Sequence, residues 1–347
     1  MISSLVPDIY NICIFHCQCS DETANLVNFR YYSEILKMKN PDKPLLIVIL
    51  GHTAGGKTAF AASLAQRVNG EIISADSRQV YRGMDIGTGK DYHDYVINGE
   101  KIKVHLVDIA DPGYEYNVYE FQKDFIHAWH DIRSANKQVL LCGGTGLYLD
   151  AVLKQYRLIN VPVNNDLRNE LVKKNIDELT EILRNFKNLH NKTDIVNKKR
   201  LIRAIEIETY LQCHPTVIRE FPDFRPLVLG IRFSRDERRN RITQRLKDRL
   251  KSGMIEEVEG LINSGVSKET LVFYGLEYKY LAWYLEEKFS YDEMFEKLNT
   301  AIHQFAKRQM TWFRKMEREG VQIHWIDGEK DMEEKISVAM KLYAEYA

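Results

Sequence analysis

The stretch "LLIVILGHTAGGKTAF", residues 45–60, sets an apolar run directly before a glycine-rich loop, a lysine and a threonine. An uninterrupted apolar run suits a strand buried on both faces, and the glycines after it suit a tight turn into a helix. Gly51-His52-Thr53-Ala54-Gly55-Gly56-Lys57-Thr58 fits G-x-x-x-x-G-K-[ST] at every fixed position. Glycine lets the backbone curl until successive amides point at one phosphate, with the next helix's N-terminus behind them. Lys57 then supplies a point charge and Thr58 a hydroxyl for Mg²⁺. The loop calls for phosphates. It does not choose between phosphoryl transfer and departure of a pyrophosphate.

Outward from this run, short apolar segments at 45–50, 72–75, 104–109 and 139–142 alternate with helical spacing at 57–69 and 117–134. That alternation predicts an α/β fold with a parallel sheet flanked by helices. Gly70 is placed to close the first helix in a left-handed conformation. Beyond residue 152 the chain turns charged and strand-poor, and Leu167, Leu171, Leu179, Leu183 and Phe186 recur at helical spacing. Residues 153–225 therefore read as an α-helical insertion, and 44–152 with 226–330 as the core. "PLVLGIRF" (226–233) returns to the sheet, and a basic helix follows it. A long helix at 291–318 carries Met294, Leu298, Ile302 and Phe305 on one face. "VQIHWID" (321–327) reads as a last strand and 331–347 as a C-terminal helix.

Lysine plus arginine equals aspartate plus glutamate at 49 each, so net charge points to no partner. Cys13, Cys17 and Cys19 crowd the N-terminus around His16 in no familiar metal spacing, which favours free thiols over a zinc site. No apolar run is long enough to span a membrane, and the N-terminus lacks the basic start of a signal peptide. A cytoplasmic protein without membrane contact is expected. Residues 1–43 form an extension without clear period, and Met38 is an alternative start.

The second informative stretch is "SADSRQVYRGMDIGTGK", residues 74–90. An acidic residue at a strand's carboxyl end, facing a phosphate loop, lies where such sheets bind ligands. Asp76 there suits a metal ligand, a general base or a cap. Taken together, GHTAGGKT, DSRQVY and MDIGTGK resemble the signature of the tRNA dimethylallyltransferases. The likeness continues through "HLVDIADPGYEYNVYEF" (105–121), "GGTGLYLDAVL" (143–153), "KRLIRAIEI" (199–207), "RNRITQR" (239–245) and "AKRQMTWF" (306–313). The resemblance covers residues 44 to about 315 and implies a P-loop NTPase-like core.

It also implies a reaction, in which the five-carbon group of dimethylallyl pyrophosphate moves to N6 of adenosine at position 37 of tRNA, beside the anticodon. The leaving group gathers negative charge, which loop amides, Lys57, Mg²⁺ on Thr58 and an arginine would stabilise. Asp76 matches the family's general base and Arg245 its pyrophosphate-contacting arginine. On the same likeness, Asp76, Ser77, Arg78, Gln79, Thr145, Arg168, Lys199, Arg200, Leu201, Ile202 and Arg203 would face tRNA. The insertion at 153–225 would hold the anticodon stem-loop, and a monomer is expected.

From Arg232 to Lys251 nine basic residues stand against three acidic ones. Arg238, Arg241, Arg245 and Arg249 share one helix face, which favours an anionic partner over a solvated surface. Trp312 and Phe313, set among charges, read as core rather than as stacking platforms. The chain departs from the family at His52 for proline, Ile302-His303 for Thr-Arg and Glu277 for glycine. Those changes read as lying mostly on the RNA side. No Cys/His cluster follows Trp312, which fits the bacterial type. Two other enzymes share the loop: a dimethylallyltransferase acting on free AMP and a P-loop nucleoside or nucleotide kinase. A non-catalytic RNA-binding protein is the reading from another class.

Overall fold

The computed structural model of the protein describes residues 43–186, 197–214 and 220–347. The N-terminal cysteines, His16 and Met38 lie outside them.

Strand β1 (Leu45–Gly51) is buried along its whole length. Side chains on a strand point alternately to its two faces. Leu46, Val48 and Leu50 accordingly enter one core, and Leu45, Ile47 and Ile49 enter another. The loop after it leads into α1 (Lys57–Arg67), whose Phe60, Leu64 and Ala65 face the second core. The left-handed residue before β2 (Gly70–Ser74) is Asn69, with φ 50°, and not Gly70. Asparagine tolerates that conformation. Gly70 is needed for close packing instead, since a Cβ there would lie 2.3 Å from a Leu140 methyl.

A 3₁₀ turn (Tyr92–Tyr95) precedes the small hairpin β3 (Val96–Ile97) and β4 (Glu100–Lys101). The strand expected over 104–109 shrinks to β5 (Val104–His105), because Leu106 and Asp108 turn to positive φ. Helix α2 (Val118–Ser134) opens on a capping box of Asn117 and Glu120. It is followed by β6 (Gln138–Gly143) and α3 (Gly146–Leu153).

Three helices then stand around a cluster of their own: α4 (Asn165–Leu171), α5 (Ile176–Arg184) and α6 (Lys198–Cys213). Leu171, Leu179, Leu183, Leu201, Ile202 and Ile205 are its buried members. The chain returns through β7 (Arg225–Arg232) to α7 (Arg235–Lys251), α8 (Met254–Asn263), α9 (Lys268–Phe273), α10 (Leu276–Leu285) and α11 (Tyr291–Arg318). It ends with β8 (Ile323–Asp327) and α12 (Met332–Tyr346). On α11 Met294, Leu298 and Ile302 are buried as expected, but Phe305 is 38% exposed and Ala306 takes the next inward position. At 3.6 residues per turn the face drifts by one residue there.

Six strands form one parallel sheet in the order β5-β2-β6-β1-β7-β8. β1 lies inside it, with Leu46 opposite Val139 and Ile47 opposite Leu227. Helices α2, α3, α7, α8, α10 and α11 cover one face, and α1 and α12 the other. The carboxyl ends of β1, β2 and β6 therefore share one edge, where an open α/β sheet binds its ligand. Among the described residues, no helix is long and apolar enough to cross a membrane.

Candidate active site

The loop after β1 uses left-handed backbone at Ala54 (φ 60°) and Gly56 (φ 66°). Lys57 Nζ donates to the His52 carbonyl at 2.8 Å, which folds the side chain back over the loop. Helix α1 has no side-chain cap. Among the described residues, no protein acceptor takes the amides of Gly56, Lys57 or Thr58. Uncapped amides at a helix N-terminus form an anion site. Burial pulls the Lys57 ammonium down to about 8, with Arg245 adding repulsion and Cys142 and Asp76 opposing it.

His52, where the family shows proline, is fully buried, and its ring packs edge-on against Phe233. Nδ1 donates to the Thr53 carbonyl at 2.6 Å. Burial, assisted by Lys57, Arg238 and Arg241, drives its pKa down to about 4, so the ring is neutral at pH 7.

Two of the four in-phase arginines of α7 bond this loop. Arg241 Nε donates to the Ala54 carbonyl at 3.1 Å, and Arg245 donates to the Thr53 hydroxyl. Arg249, one turn on, is buried and sits 3.5 Å from Asp91. Burial first, and then Arg249, pull the Arg245 guanidinium well below its usual range. A guanidinium stays charged in proteins, so the unfavourable setting amounts to a demand for an anion. Ala54, Arg241 and Arg245 line an open cleft of about 930 Å³.

On the other side of the loop, Asp76 follows β2. Its Oδ1 accepts from the Arg78 amide at 2.9 Å, which leaves Oδ2 for another partner. Ser77 donates its amide to Thr145 Oγ1 at 3.1 Å, tying this turn to the start of α3. Arg78 stacks over the half-exposed Phe273 ring at 5.2 Å. Lys57 and Arg245 are near enough to Asp76 to feel its charge, so both sides of the site meet there.

Several residues expected to face tRNA are placed otherwise. Gln79 is buried, donating to the Gly89 carbonyl at 3.0 Å and accepting from the Ser74 hydroxyl, so it braces the 84–90 loop. Leu201 and Ile202 lie inside the helical cluster, where their side chains cannot reach RNA. Arg168 makes a two-pronged pair with buried Glu206 at 2.9 and 2.8 Å, and Arg203 also bonds Glu206. Arg168 thereby binds α4 to α6, while Arg203, on α6 itself, also donates to the Val161 carbonyl at 2.8 Å, and both are only partly exposed. Lys199 and Arg200 remain exposed at the start of α6. Trp312 belongs to the core, donating to buried Asp150 at 2.9 Å and packing on Gly146.

At two of the family departures the side chain stands at the site. His303 lines the cleft beside Arg245 and lies 3.2 Å from Thr243 Oγ1. Glu277 is placed by the start of α10 among Arg249, Arg245 and Asp76. His303 therefore stands by the phosphate loop, and Glu277 beside the turn that carries Asp76.

Some residues of the site had no role assigned from the sequence. Gln309 on α11 accepts from the Thr53 amide at 2.8 Å and donates to the Gly144 carbonyl at 2.9 Å, joining the ends of β1 and β6. Glu257 on α8 accepts the amides of Asp85, Ile86 and Gly87 at 2.8, 2.7 and 3.0 Å. A pair of residues joined across 256 positions leaves no local pattern to read.

As for a metal, Thr58 is the second residue of α1, whose first amides form the anion site. Among the described residues no group of three or more metal-ligating side chains exists. That donor set fits a hard cation which takes most of its ligands from phosphate oxygens and water.

The IPP transferase family model matches residues 79–316. A tRNA dimethylallyltransferase 2 of Bacteroides fragilis is 58% identical over 301 residues, covering 87% of this chain and 98% of that protein. A tRNA dimethylallyltransferase 1 of Parabacteroides distasonis is 52% identical over 297 residues, covering 86% of this chain and 97% of that one. Among solved structures, a tRNA isopentenylpyrophosphate transferase of Bacillus halodurans superposes with a TM-score of 0.65 at 31% identity, over 88% of this chain and 97% of that one. A eukaryotic dimethylallyltransferase acting on tRNA shares the fold, with a TM-score of 0.72 at 22% identity. A family match across most of the chain, on a sheet whose loop and arginine helix close around one anion site, makes this protein a member of the IPP transferase family, that of the tRNA dimethylallyltransferases.

Proposed function

We propose that the chain transfers the dimethylallyl group of dimethylallyl pyrophosphate to N6 of adenosine 37 in tRNA, beside the anticodon. The observation that carries this reading is the convergence of loop, α7 arginines and Asp76 on one space. A phosphate site and a carboxylate with a free oxygen there serve the two ends of one displacement.

The open amides of Gly56, Lys57 and Thr58, with Lys57, Arg241 and Arg245, bind the diphosphate. The bond from the allylic carbon to the diphosphate oxygen breaks and its electron pair stays on that oxygen, where these donors stabilise it. The N6 lone pair forms the new carbon–nitrogen bond. An adenine amine is a weak nucleophile, and Asp76 Oδ2 orients it and accepts its proton. Thr58 would hold Mg²⁺, which when bound neutralises part of the diphosphate charge. A base must leave its stack to be modified, which is least costly in a single-stranded loop. Arg78, Thr145, Lys199 and Arg200 offer contacts for such a loop, and α4–α6 offer the arm that carries it. The whole site is built by one chain acting in the cytoplasm.

The test offers dimethylallyl pyrophosphate and Mg²⁺ to the protein with either unmodified tRNA or AMP. Prenylated adenosine in tRNA is the expected product. Prenylated AMP with unmodified tRNA would move the reading to the free nucleotide. Phosphoryl transfer from ATP to a nucleoside, without prenyl transfer, would move it to a kinase.

A further inference from the structure

The phosphate loop carries a histidine where the family shows proline, and that side chain brings a hydrogen-bond donor into the loop. The His52 ring is fully buried, edge-on to Phe233. A Cβ on Gly55 would lie 2.9 Å from the His52 carbonyl oxygen and 3.6 Å from ring Cε1, so the loop wraps closely around this residue. Nδ1 lies 2.6 Å from the Thr53 carbonyl oxygen, which can only accept, so a proton sits on Nδ1. In the neutral ring Nε2 is then a bare acceptor, and among the described residues it has no partner. A buried acceptor left unsatisfied is destabilising, and a phenylalanine ring would avoid that cost.

The Thr53 carbonyl and the Ala54 amide belong to one trans peptide, in which they point in opposite directions. With the carbonyl tied to the ring, the Ala54 amide points away from it, and among the described residues no protein group accepts that amide. Ala54 is held at φ 60°, a left-handed backbone that alanine adopts only when its surroundings enforce it. The flanking carbonyls are engaged too. That of His52 accepts the Gly55 amide at 3.2 Å and Lys57 Nζ at 2.8 Å, and that of Ala54 accepts Arg241 Nε at 3.1 Å. Lys57 and Arg241, however, are cations that a diphosphate draws onto itself, and each then lets go of its carbonyl. A neutral ring is not drawn, so the His52 bond outlasts the arrival of the ligand.

We infer that His52 is a positioning residue, whose Nδ1–H holds the Thr53–Ala54 peptide so that the Ala54 amide joins those of Gly56, Lys57 and Thr58 in binding the diphosphate. The inference rests on the diphosphate reading of the loop.

The experiment compares wild type, His52→Phe and His52→Asn by calorimetric titration of the full chain with inorganic pyrophosphate and Mg²⁺ at neutral pH, beside melting temperatures. Phenylalanine keeps a flat ring against Phe233 and loses the donor. Asparagine loses the ring but keeps an N–H two bonds beyond Cβ, where Nδ1 lies. His52→Phe should weaken pyrophosphate binding about five- to tenfold, the size of one hydrogen bond, while melting no lower than wild type. His52→Asn should bind pyrophosphate nearly as wild type does, although it melts earlier. A purely structural role would move melting and binding together. Ring ¹⁵N signals of wild type should show a protonated Nδ1 and a bare Nε2, before and after pyrophosphate is added. An equal pyrophosphate Kd in wild type and His52→Phe would overturn the inference. So would a ring proton found on Nε2 alone, or His52→Asn binding as weakly as His52→Phe. If pyrophosphate fails to bind wild type at all, the diphosphate reading falls and takes this inference with it.

Discussion

At the scale of single residues, Asp76 separates chemistry from shape. Its Oδ1 caps the Arg78 amide, and asparagine keeps that bond. If Oδ2 accepts the N6 proton, Asp76→Asn should lower single-turnover prenyl transfer by about 100-fold or more. tRNA affinity should change far less, because phosphate contacts dominate it. A near wild-type transfer rate beside unchanged filter binding would remove the base role. Lys57→Ala or Thr58→Ala should cost about 10²–10³ in rate, as single electrostatic groups do. Initial rates at saturating tRNA measure this, and near-normal turnover in both would sink the phosphate-loop assignment. His52 supplies a prediction about acid. Its pKa is lowered from 6.5 to about 4, so the unfolded chain gains the proton first as pH falls. Stability is therefore unaffected above pH 6.5 and lost below it. Between pH 7 and 5 wild type should lose about 2 kcal/mol more than His52→Pro, read from denaturant midpoints at the two pH values. Glu71 does not confuse that window. Burial opposes its charge, but Lys137, His105 and Lys103 hold its carboxyl at about 2, so its contribution fades only below pH 4.5.

At the scale of elements, α11 acts as a brace between two strand ends. Gln309 is buried and fills one donor and one acceptor role toward the Thr53 amide and the Gly144 carbonyl. Gln309→Ala leaves both backbone groups unsatisfied, at about 1–3 kcal/mol each. The variant should melt earlier and bind pyrophosphate more weakly. A normal pyrophosphate Kd in a destabilised variant would show that the brace serves folding alone. The helical unit has a comparable tie in Glu206, 2% exposed, which receives Arg168, Arg203 and the Asn164 amide. Burial pushes its carboxyl up, but those hydrogen bonds outweigh it and keep the group ionised. Glu206→Ala would leave Arg168 and Arg203 without their anion and loosen α4 against α6. The KM for tRNA should then rise, while binding of pyrophosphate to the sheet side stays unchanged.

At the scale of the whole molecule, the helical unit holds a small core that shares no buried member with the two cores of the sheet. Units of that kind open separately when their burial is modest. Hydrogen exchange in low denaturant should release the amides of α5 and α6 before those of β1, β6 and β7, and simultaneous release would show one cooperative body. The sequence by itself determined whatever is encoded locally. The continuous apolar run of β1 required a strand covered on both faces, the loop residues required a phosphate site, and regular spacing set out α2 and α11. Local patterns stop at what lies between elements. That Arg241 and Arg245 bond the loop, that Arg168 and Arg203 are spent on Glu206, and that Leu201 and Ile202 are core depended on which helix faces met. Gln309 and Glu277 reach the site across distant parts of the chain, Asn69 takes the left-handed turn, and Gly70 is held to glycine by Leu140 packed against it. Packing settled these positions, since a charge or an amide finds its partner only once the sheet has brought the strand ends together.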